Sequence, residues 1–293
     1  GYTHFQIAML SSAGLWLSAY AESLTDDMEL LYSAFKVVNK NPLGSGAGYG
    51  GSLPINRTKT TNLLGFETLN YNSVYAQMTR GKTEKTVASA LSSLAATLSR
   101  LSMDCTLYLS QNFDFIAFPN ELTTGSSIMP HKKNPDVFEL IRAKCNKIQS
   151  YQTQFFNITN NLPSGYHRDM QILKDDYFAM FDEISSCLEM MIMMIQNISF
   201  KENILSDPRY LPLFSVEAVN QLVSTGIPFR IAYQQVGLSI ENGTFEMPKL
   251  SQHTHEGSKD NLCLDEIRSA YEQTIQQFPF DKINQALAKL SQE

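Results

Sequence analysis

Apolar residues recur in alternating steps of four and three along four long stretches of the chain. These stretches cover residues 10–38, 87–108, 137–155 and 173–198. Such spacing places the apolar side chains on one face of an α-helix and is typical of helices that pack side by side. The third stretch carries Lys144 at one of the apolar positions. The pattern predicts four long helices, of which the longest extend roughly 40 to 50 Å at about 1.5 Å per residue.

A single helix of this kind would leave a continuous apolar stripe exposed to water. The four helices are therefore expected to form an elongated bundle in which each stripe faces another helix. Residues 187–198, with the sequence CLEMMIMMIQNI, are also apolar outside the stripe. One copy of the chain cannot bury all of this surface, so we predict a homo-oligomer with a helical interface, in which the methionines belong to core or interface.

The remaining segments complete the predicted organisation. No stretch shows sustained alternation of apolar and polar residues, so the fold class is predicted to be all-α. The glycine-rich segment 41–57 follows no strand-like run and lacks the terminal Gly-Lys-Ser/Thr of a phosphate-binding loop, which favours an irregular connection. Prolines interrupt the pattern after residue 198. We predict a central helical bundle over residues 1–200 and a smaller helical C-terminal domain over residues 201–293.

The amino-acid composition excludes some classes of binding partner. The formal net charge is −6 and the isoelectric point is about 5.4, which argues against a surface built for nucleic acid or anionic membrane. The longest apolar runs are far shorter than the roughly 20 residues of a membrane span, and no signal-peptide pattern opens the sequence. A cytoplasmic location is expected. The four cysteines are widely spaced without a CxxC pair, which favours buried thiols over disulfides or metal ligands.

The segment 123–144, TTGSSIMPHKKNPDVFELIRAK, carries the strongest chemical signal. Asn134 and Pro135 suit the start of a helix, whose positive end together with Lys132 could bind a carboxylate or a carbanion delocalised onto one. The same positive potential would favour ionisation of Ser126 or Ser127, so that a serine could act as a base. From composition alone, an ordinary surface loop with solvated lysines explains the segment as well.

Other polar residues add weaker signals. Glu139 follows in the predicted helix and could orient a histidine, and His4 is predicted to lie at the entry of the first long helix, beside Thr3. Taken separately, a structural histidine and a solvated glutamate are the simpler interpretations. The segment GYHRDMQILK can direct four further polar side chains toward one pocket, although a solvated charged turn is an equal alternative; these side chains are Tyr166, Arg168, Gln171 and Lys174. His253 and His255 lack an evident third ligand, so no metal site is expected.

Residues 125–135, GSSIMPHKKNP, match without a break the loop GSSxMPxKxNP that marks the fumarase/aspartase superfamily. Within the superfamily the chain resembles the argininosuccinate lyases, through GYTHFQ, NPLGSGAGYGGSLPINR, FPNELTTGSSIMPHKKNPD, GYHRDMQILK and GIPFRIAYQQVG. The resemblance covers essentially the whole chain. It implies that the first domain of such proteins would precede Gly1.

The resemblance also implies a reaction and roles for named residues. The reaction is the reversible anti elimination of argininosuccinate to arginine and fumarate, without metal or organic cofactor. Ser126 would remove the Cβ proton, Lys132 would stabilise the resulting aci-carboxylate, and His4, oriented by Glu139, would assist protonation of the leaving nitrogen. Substrate-binding roles carry over to Thr3, Arg80, Asn134, Tyr166, Gln171 and Lys174. Such proteins are homotetramers whose active sites take residues from three subunits.

Two alternatives stay open at this point. His131 stands where argininosuccinate lyases usually carry glutamine, and histidine there is typical of adenylosuccinate lyases, so another fumarate-releasing lyase is the first alternative. A non-catalytic structural relative, comparable to the lens δ-crystallins, is the second. Retention of Ser126, Lys132, Asn134, His4 and Glu139 argues against the second alternative, because a structural protein has no physical need for all five.

Overall fold

The computed structural model describes residues 1–291 and is predominantly helical. Its helices are α1 Ala13–Val38, α2 Arg57–Leu63, α3 Ser73–Met78, α4 Lys82–Leu109, α5 Asp136–Ile158, α6 Leu173–Gln196, α7 Ser215–Ser224, α8 Phe229–Glu241, α9 Leu264–Gln276 and α10 Phe280–Leu290. Short 3₁₀ segments include Arg168–Gln171 and Pro208–Phe214. The predicted all-α class is confirmed, and each of the four long apolar stretches forms one helix.

The strands within residues 1–291 have two residues each and form four isolated pairs. The strands are β1 Tyr2–Thr3, β2 Gln6–Ile7, β3 Lys40–Asn41, β4 Thr68–Leu69, β5 Ile116–Ala117, β6 Thr124–Gly125, β7 Lys133–Asn134 and β8 Ser199–Phe200. Three pairs are antiparallel (β1 with β2, β5 with β8, β6 with β7), and β3 with β4 is parallel. These pairs fix the loops at the helix ends and add no layer to the fold.

Each long helix runs antiparallel to the long helix that follows it in the chain. Trp16 near the start of α1 donates from Nε1 to Asp104 near the end of α4, at 3.0 Å. Between α4 and α5, the Ser99 hydroxyl donates to Asn146 at 2.9 Å. Between α5 and α6, the side chain of Gln154 donates to Asp176. These pairings place the start of α1, the end of α4, the start of α5 and the end of α6 together.

The bundle therefore has two ends that matter for the site. We call the end where α4 finishes and α5 begins the serine end, because the loop carrying Ser126 joins these helices. The opposite end, where α4 begins and α5 finishes, is called the arginine end after Arg80, which lies two residues before the start of α4. At 28 residues, α4 separates the two ends by roughly 40 Å.

The core lies mainly between α4, α5 and α6. The predicted apolar positions of α4 and α6 are largely buried, including Leu98 and Met180. Two details of the prediction are wrong. In α5, Cys145 is buried and Lys144 is exposed, although the other predicted positions from Ile141 to Phe155 are buried. In α1, the predicted stripe is only half-buried, whereas Tyr20 and Asp27 are buried because they hydrogen-bond to α4 side chains.

The last third of the chain packs in four places. The segment Pro208–Phe214 forms a small apolar cluster against the N-terminal strand pair, and α7 and α8 form another. Further along, α9 packs on α1, and α10 lies so close to Gly65 that an added Cβ there would be 2.8 Å from Ala286. A division into domains at about residue 200 stays a prediction.

Three of the four cysteines are buried free thiols, as predicted, and Cys263 is half-buried. Burial raises the pKa of the Cys105 thiol to about 12, which keeps it protonated and unreactive near neutral pH. Within residues 1–291 no helix combines the length and the hydropathy that crossing a membrane requires.

Candidate active site

The segment with the strongest chemical signal forms a hairpin at the serine end. Strands β6 and β7 pair Thr124 with Asn134 and Gly125 with Lys133, which leaves residues 126–132 as the tip. The Thr124 hydroxyl donates to the carboxylate of Asp136, and the Asn134 amide donates to Thr124 at 3.4 Å. Side chains on both strands thus close the base of the hairpin and tie it to the first turn of α5.

The prediction that Asn134 caps α5 is wrong. The helix begins at Asp136, Pro135 occupies the capping position, and no side chain caps the helix. The reason is that Asn134 belongs to β7, where its backbone pairs with Thr124 and its amide group faces Thr124. The predicted acidic first turn is present, and the carboxylates of Asp136 and Glu139 interact favourably with the positive end of the helix dipole.

Ser126 has a distinctive environment at the tip of the hairpin. Its Oγ accepts hydrogen bonds from the backbone N–H groups of Ile128 at 3.3 Å and Met129 at 3.1 Å. The Lys132 N–H donates to the Met129 carbonyl at 3.0 Å and tightens the same turn. Two backbone donors directed at one oxygen stabilise negative charge on it. Ser127 is exposed, so the geometry favours Ser126 over Ser127 as the ionised hydroxyl.

Lys132 and Glu139 are both exposed, and neither takes part in an ion pair within the described chain. A free ammonium beside the Ser126 turn supplies positive potential where an anionic substrate would bind. The exposed carboxylate of Glu139 can accept a hydrogen bond from outside the chain. Neither side chain is hydrogen-bonded to His4, so the predicted His4–Glu139 pair does not form within one chain.

His4 lies in a hairpin that precedes α1, and its predicted position at the start of the helix is therefore wrong. Strands β1 and β2 pair Tyr2 with Ile7 and Thr3 with Gln6, so His4 and Phe5 form the turn. The hairpin is anchored through Tyr2, whose hydroxyl donates to Tyr210 at 3.2 Å. Burial and this hydrogen bond raise the pKa of Tyr2 to about 12. Thr3 and His4 project as exposed side chains from the anchored base.

A second group of predicted residues lies at the arginine end. The Arg80 guanidinium stacks over the Tyr166 ring, 4.7 Å from its centroid, and the Gln171 amide donates to the Tyr166 hydroxyl at 2.8 Å. Lys174 lies in the first turn of α6 and makes none of these contacts. Three of the four predicted residues therefore form one connected cluster, which can present a cation, a hydroxyl and an amide to an anionic ligand.

The structure thus divides the predicted site residues between the two ends of one bundle. Thr3, His4, Ser126, Lys132, Asn134 and Glu139 lie at the serine end, and Arg80, Tyr166, Gln171 and Lys174 lie at the arginine end. The length of α4, roughly 40 Å, separates the groups. No substrate of small-molecule size can contact both groups of a single chain.

Sequence reasoning missed Thr124 and Asp136, which close the base of the serine hairpin. One signal was available, because Thr124 and Asn134 are hydrogen-bonding residues at the two ends of a short flexible loop. The backbone donors that face Ser126 carried no sequence signal. Backbone N–H groups occur at every residue except proline, and only the three-dimensional turn directs them at one oxygen.

Known proteins similar to this chain are lyases. A protein named argininosuccinate lyase from Bacteroides fragilis is 59% identical over 286 residues, which is 98% of this chain and 64% of that protein. One of the same name from Parabacteroides distasonis is 56% identical over 290 residues, covering 99% of this chain and 65% of its own. This chain therefore spans about 64% of the length of such relatives.

The fold has a solved counterpart. The crystal structure of EDDS lyase in complex with formate superposes with a TM-score of 0.75 at 18% identity, covering 100% of this chain and 64% of that one. A family model described as "Lyase" matches residues 1–150, just over half of the sequence. On that match, the chain belongs to the lyase family.

Proposed function

We propose that this chain forms the catalytic part of an enzyme that reversibly eliminates fumarate from argininosuccinate and releases arginine. The substrate is taken from the names of relatives that are 56% and 59% identical over almost the whole chain. The observation that carries the chemistry is the pair of backbone N–H groups donated to Ser126 Oγ. Such donors stabilise the alkoxide form of a serine hydroxyl. Only the alkoxide is basic enough to remove a proton from carbon.

In the proposed reaction, the Ser126 alkoxide removes a proton from the Cβ carbon of the succinyl part. The electron pair left on carbon is delocalised into the adjacent carboxylate, which becomes an aci-carboxylate of higher negative charge. The Lys132 ammonium and the N–H groups of the hairpin stabilise that charge, which is commonly the largest catalytic contribution. The Cα–N bond then breaks, a carbon–carbon double bond forms, and His4, oriented by Glu139, protonates the departing guanidinium nitrogen.

The distribution of the site residues supports an assembled enzyme. Because roughly 40 Å separates the two groups, a complete site requires the serine end of one copy beside the arginine end of another. Exposed apolar side chains on the long helices, including Leu140 at 62%, Phe178 at 63% and Ile192 at 55%, supply surface for such contacts. We propose a homotetramer in the cytoplasm, with each site taking residues from more than one subunit.

One assay separates this function from its alternatives. Full-length protein is mixed with argininosuccinate or with adenylosuccinate, and fumarate is followed by its absorbance. We expect fumarate from argininosuccinate alone. Release only from adenylosuccinate would support the alternative that His131 raises, and release from neither would favour the non-catalytic relative.

A further inference from the structure

The turn that carries His4 has an unusual backbone. His4 and Phe5 are the two residues between β1 and β2, and both adopt positive φ, 54° and 57°. Positive φ at both positions defines a type I′ turn, which asparagine and glycine form readily. For a bulky residue such as phenylalanine the conformation is strained, because Cβ approaches the carbonyl oxygen. The hairpin could therefore form more easily with a different residue at position 5.

Packing within the chain does not offset this strain at Phe5. The side chain is 68% exposed, and Phe5 takes part in none of the aromatic ring pairs found in residues 1–291. The neighbouring Tyr2 shows the contrast, because its ring contacts Phe113 at 5.0 Å between centroids and anchors the hairpin. Phe5 thus presents an exposed ring on a strained backbone beside His4, the proposed proton donor. This indicates that the ring contacts a molecule other than its own chain.

We propose that Phe5 is a substrate-positioning residue whose ring covers the aliphatic chain of the arginine part of the substrate. The inference rests on the proposed function, since it places Phe5 beside the His4 that faces the leaving guanidinium group. That group is joined to three apolar methylene carbons, which lie on the side of the guanidinium opposite the bond that breaks. A flat apolar ring beside them fixes the depth at which the guanidinium nitrogen meets the imidazole.

The test compares variants at position 5 in the full-length protein. Phe5→Asn removes the ring but retains a residue that adopts positive φ easily, and Phe5→Leu retains apolar volume. We expect Phe5→Asn to raise KM for argininosuccinate roughly tenfold or more, the scale of a lost apolar contact, while Phe5→Leu stays within about threefold of the parent. The melting temperature of Phe5→Asn should be unchanged or higher by about 2–4 °C, because strain is relieved.

Three results would overturn the proposal. An unchanged KM in Phe5→Asn would show that the ring does not contact substrate. A lower melting temperature together with an unchanged KM would assign the ring to stability. A change of oligomeric mass in Phe5→Asn would assign the ring to an interface between copies.

The controls separate this test from that of the proposed function. Phe229→Asn removes a similarly exposed ring, 62% accessible, from the start of α8, and should leave KM unchanged. If the parent protein releases no fumarate from argininosuccinate, the proposed function itself fails. A KM difference between Phe5→Asn and Phe229→Asn in an active protein bears on Phe5 alone.

Discussion

At the scale of single residues, the proposed reaction depends on one hydroxyl whose surroundings differ from those of its neighbour. Ser126 and Ser127 are neighbours with the same intrinsic acidity, but only Ser126 Oγ accepts two backbone N–H groups. Negative charge on an oxygen in that position is stabilised by hydrogen bonds that are already formed in the free protein. The nearby Lys132 ammonium, which forms no ion pair within residues 1–291, adds to the same potential.

Ser126→Ala should lower kcat for fumarate release by at least about 10²-fold, because the proton acceptor is lost. The helical content should stay the same, since the hydroxyl makes contacts only within an exposed turn. Steady-state fumarate absorbance and circular dichroism measure the two quantities. Ser127→Ala is the matched control and should retain most of the activity. A larger loss in the Ser127 variant than in the Ser126 variant would reverse the assignment.

At the scale of elements, the long helices were predictable because their apolar positions repeat regularly enough to define one buried face. The prediction failed in detail where a polar contact decides the orientation. Residues Tyr20 and Asp27 of α1 face α4 because they hydrogen-bond to Asp104 and Ser93, and periodicity does not register such pairs. The two short hairpins were missed because pairs of two-residue strands are too short to show alternation.

The same reasoning applies to the candidate site. Motif resemblance found the serine, lysine and histidine as residue types, but the local residue pattern predicted Asn134 as a helix cap and His4 at a helix entry. Both lie in hairpins whose register depends on partners several residues away. The Arg80–Tyr166 stack joins residues 86 positions apart by sequence numbering, a contact that only the packed ends of α4 and α5 create.

The junction before α4 gives a test at this scale. Gly81 has φ +79°, and an added Cβ would lie 2.6 Å from Thr159 Cγ2 at the end of α5. We therefore expect Gly81→Ala to lower the free energy of unfolding by about 2 kcal/mol, from backbone strain and steric overlap. Denaturant unfolding followed by circular dichroism measures this change in the free energy of unfolding.

Gly237→Ala is the control for that experiment. Gly237 lies inside α8, and an added Cβ meets nothing within 4 Å. Alanine should raise the free energy of unfolding by about 0.5–1 kcal/mol through helix propensity. Equal effects of the two substitutions would contradict the close approach of α4 and α5 at the arginine end.

At the scale of the whole molecule, the arrangement explains why a monomer would be inactive in the proposed reaction. The base, the lysine and the histidine lie at one end, and the stacked Arg80–Tyr166 cluster lies at the other. Antiparallel association of copies along their exposed helical faces would place unlike ends side by side. Assembly and catalysis are then a single property, because the interface creates the substrate site.

A complementation experiment that mixes two defective chains tests whether a site is shared between copies. Ser126→Ala and Tyr166→Ala each remove one group, at opposite ends of the bundle, and each variant alone should release little fumarate. In co-expressed, randomly assembled oligomers, roughly a quarter of the sites would receive both groups intact. We expect the mixture to recover about that fraction of the parent activity toward argininosuccinate. An activity no greater than the average of the two variants would contradict a substrate site shared between copies.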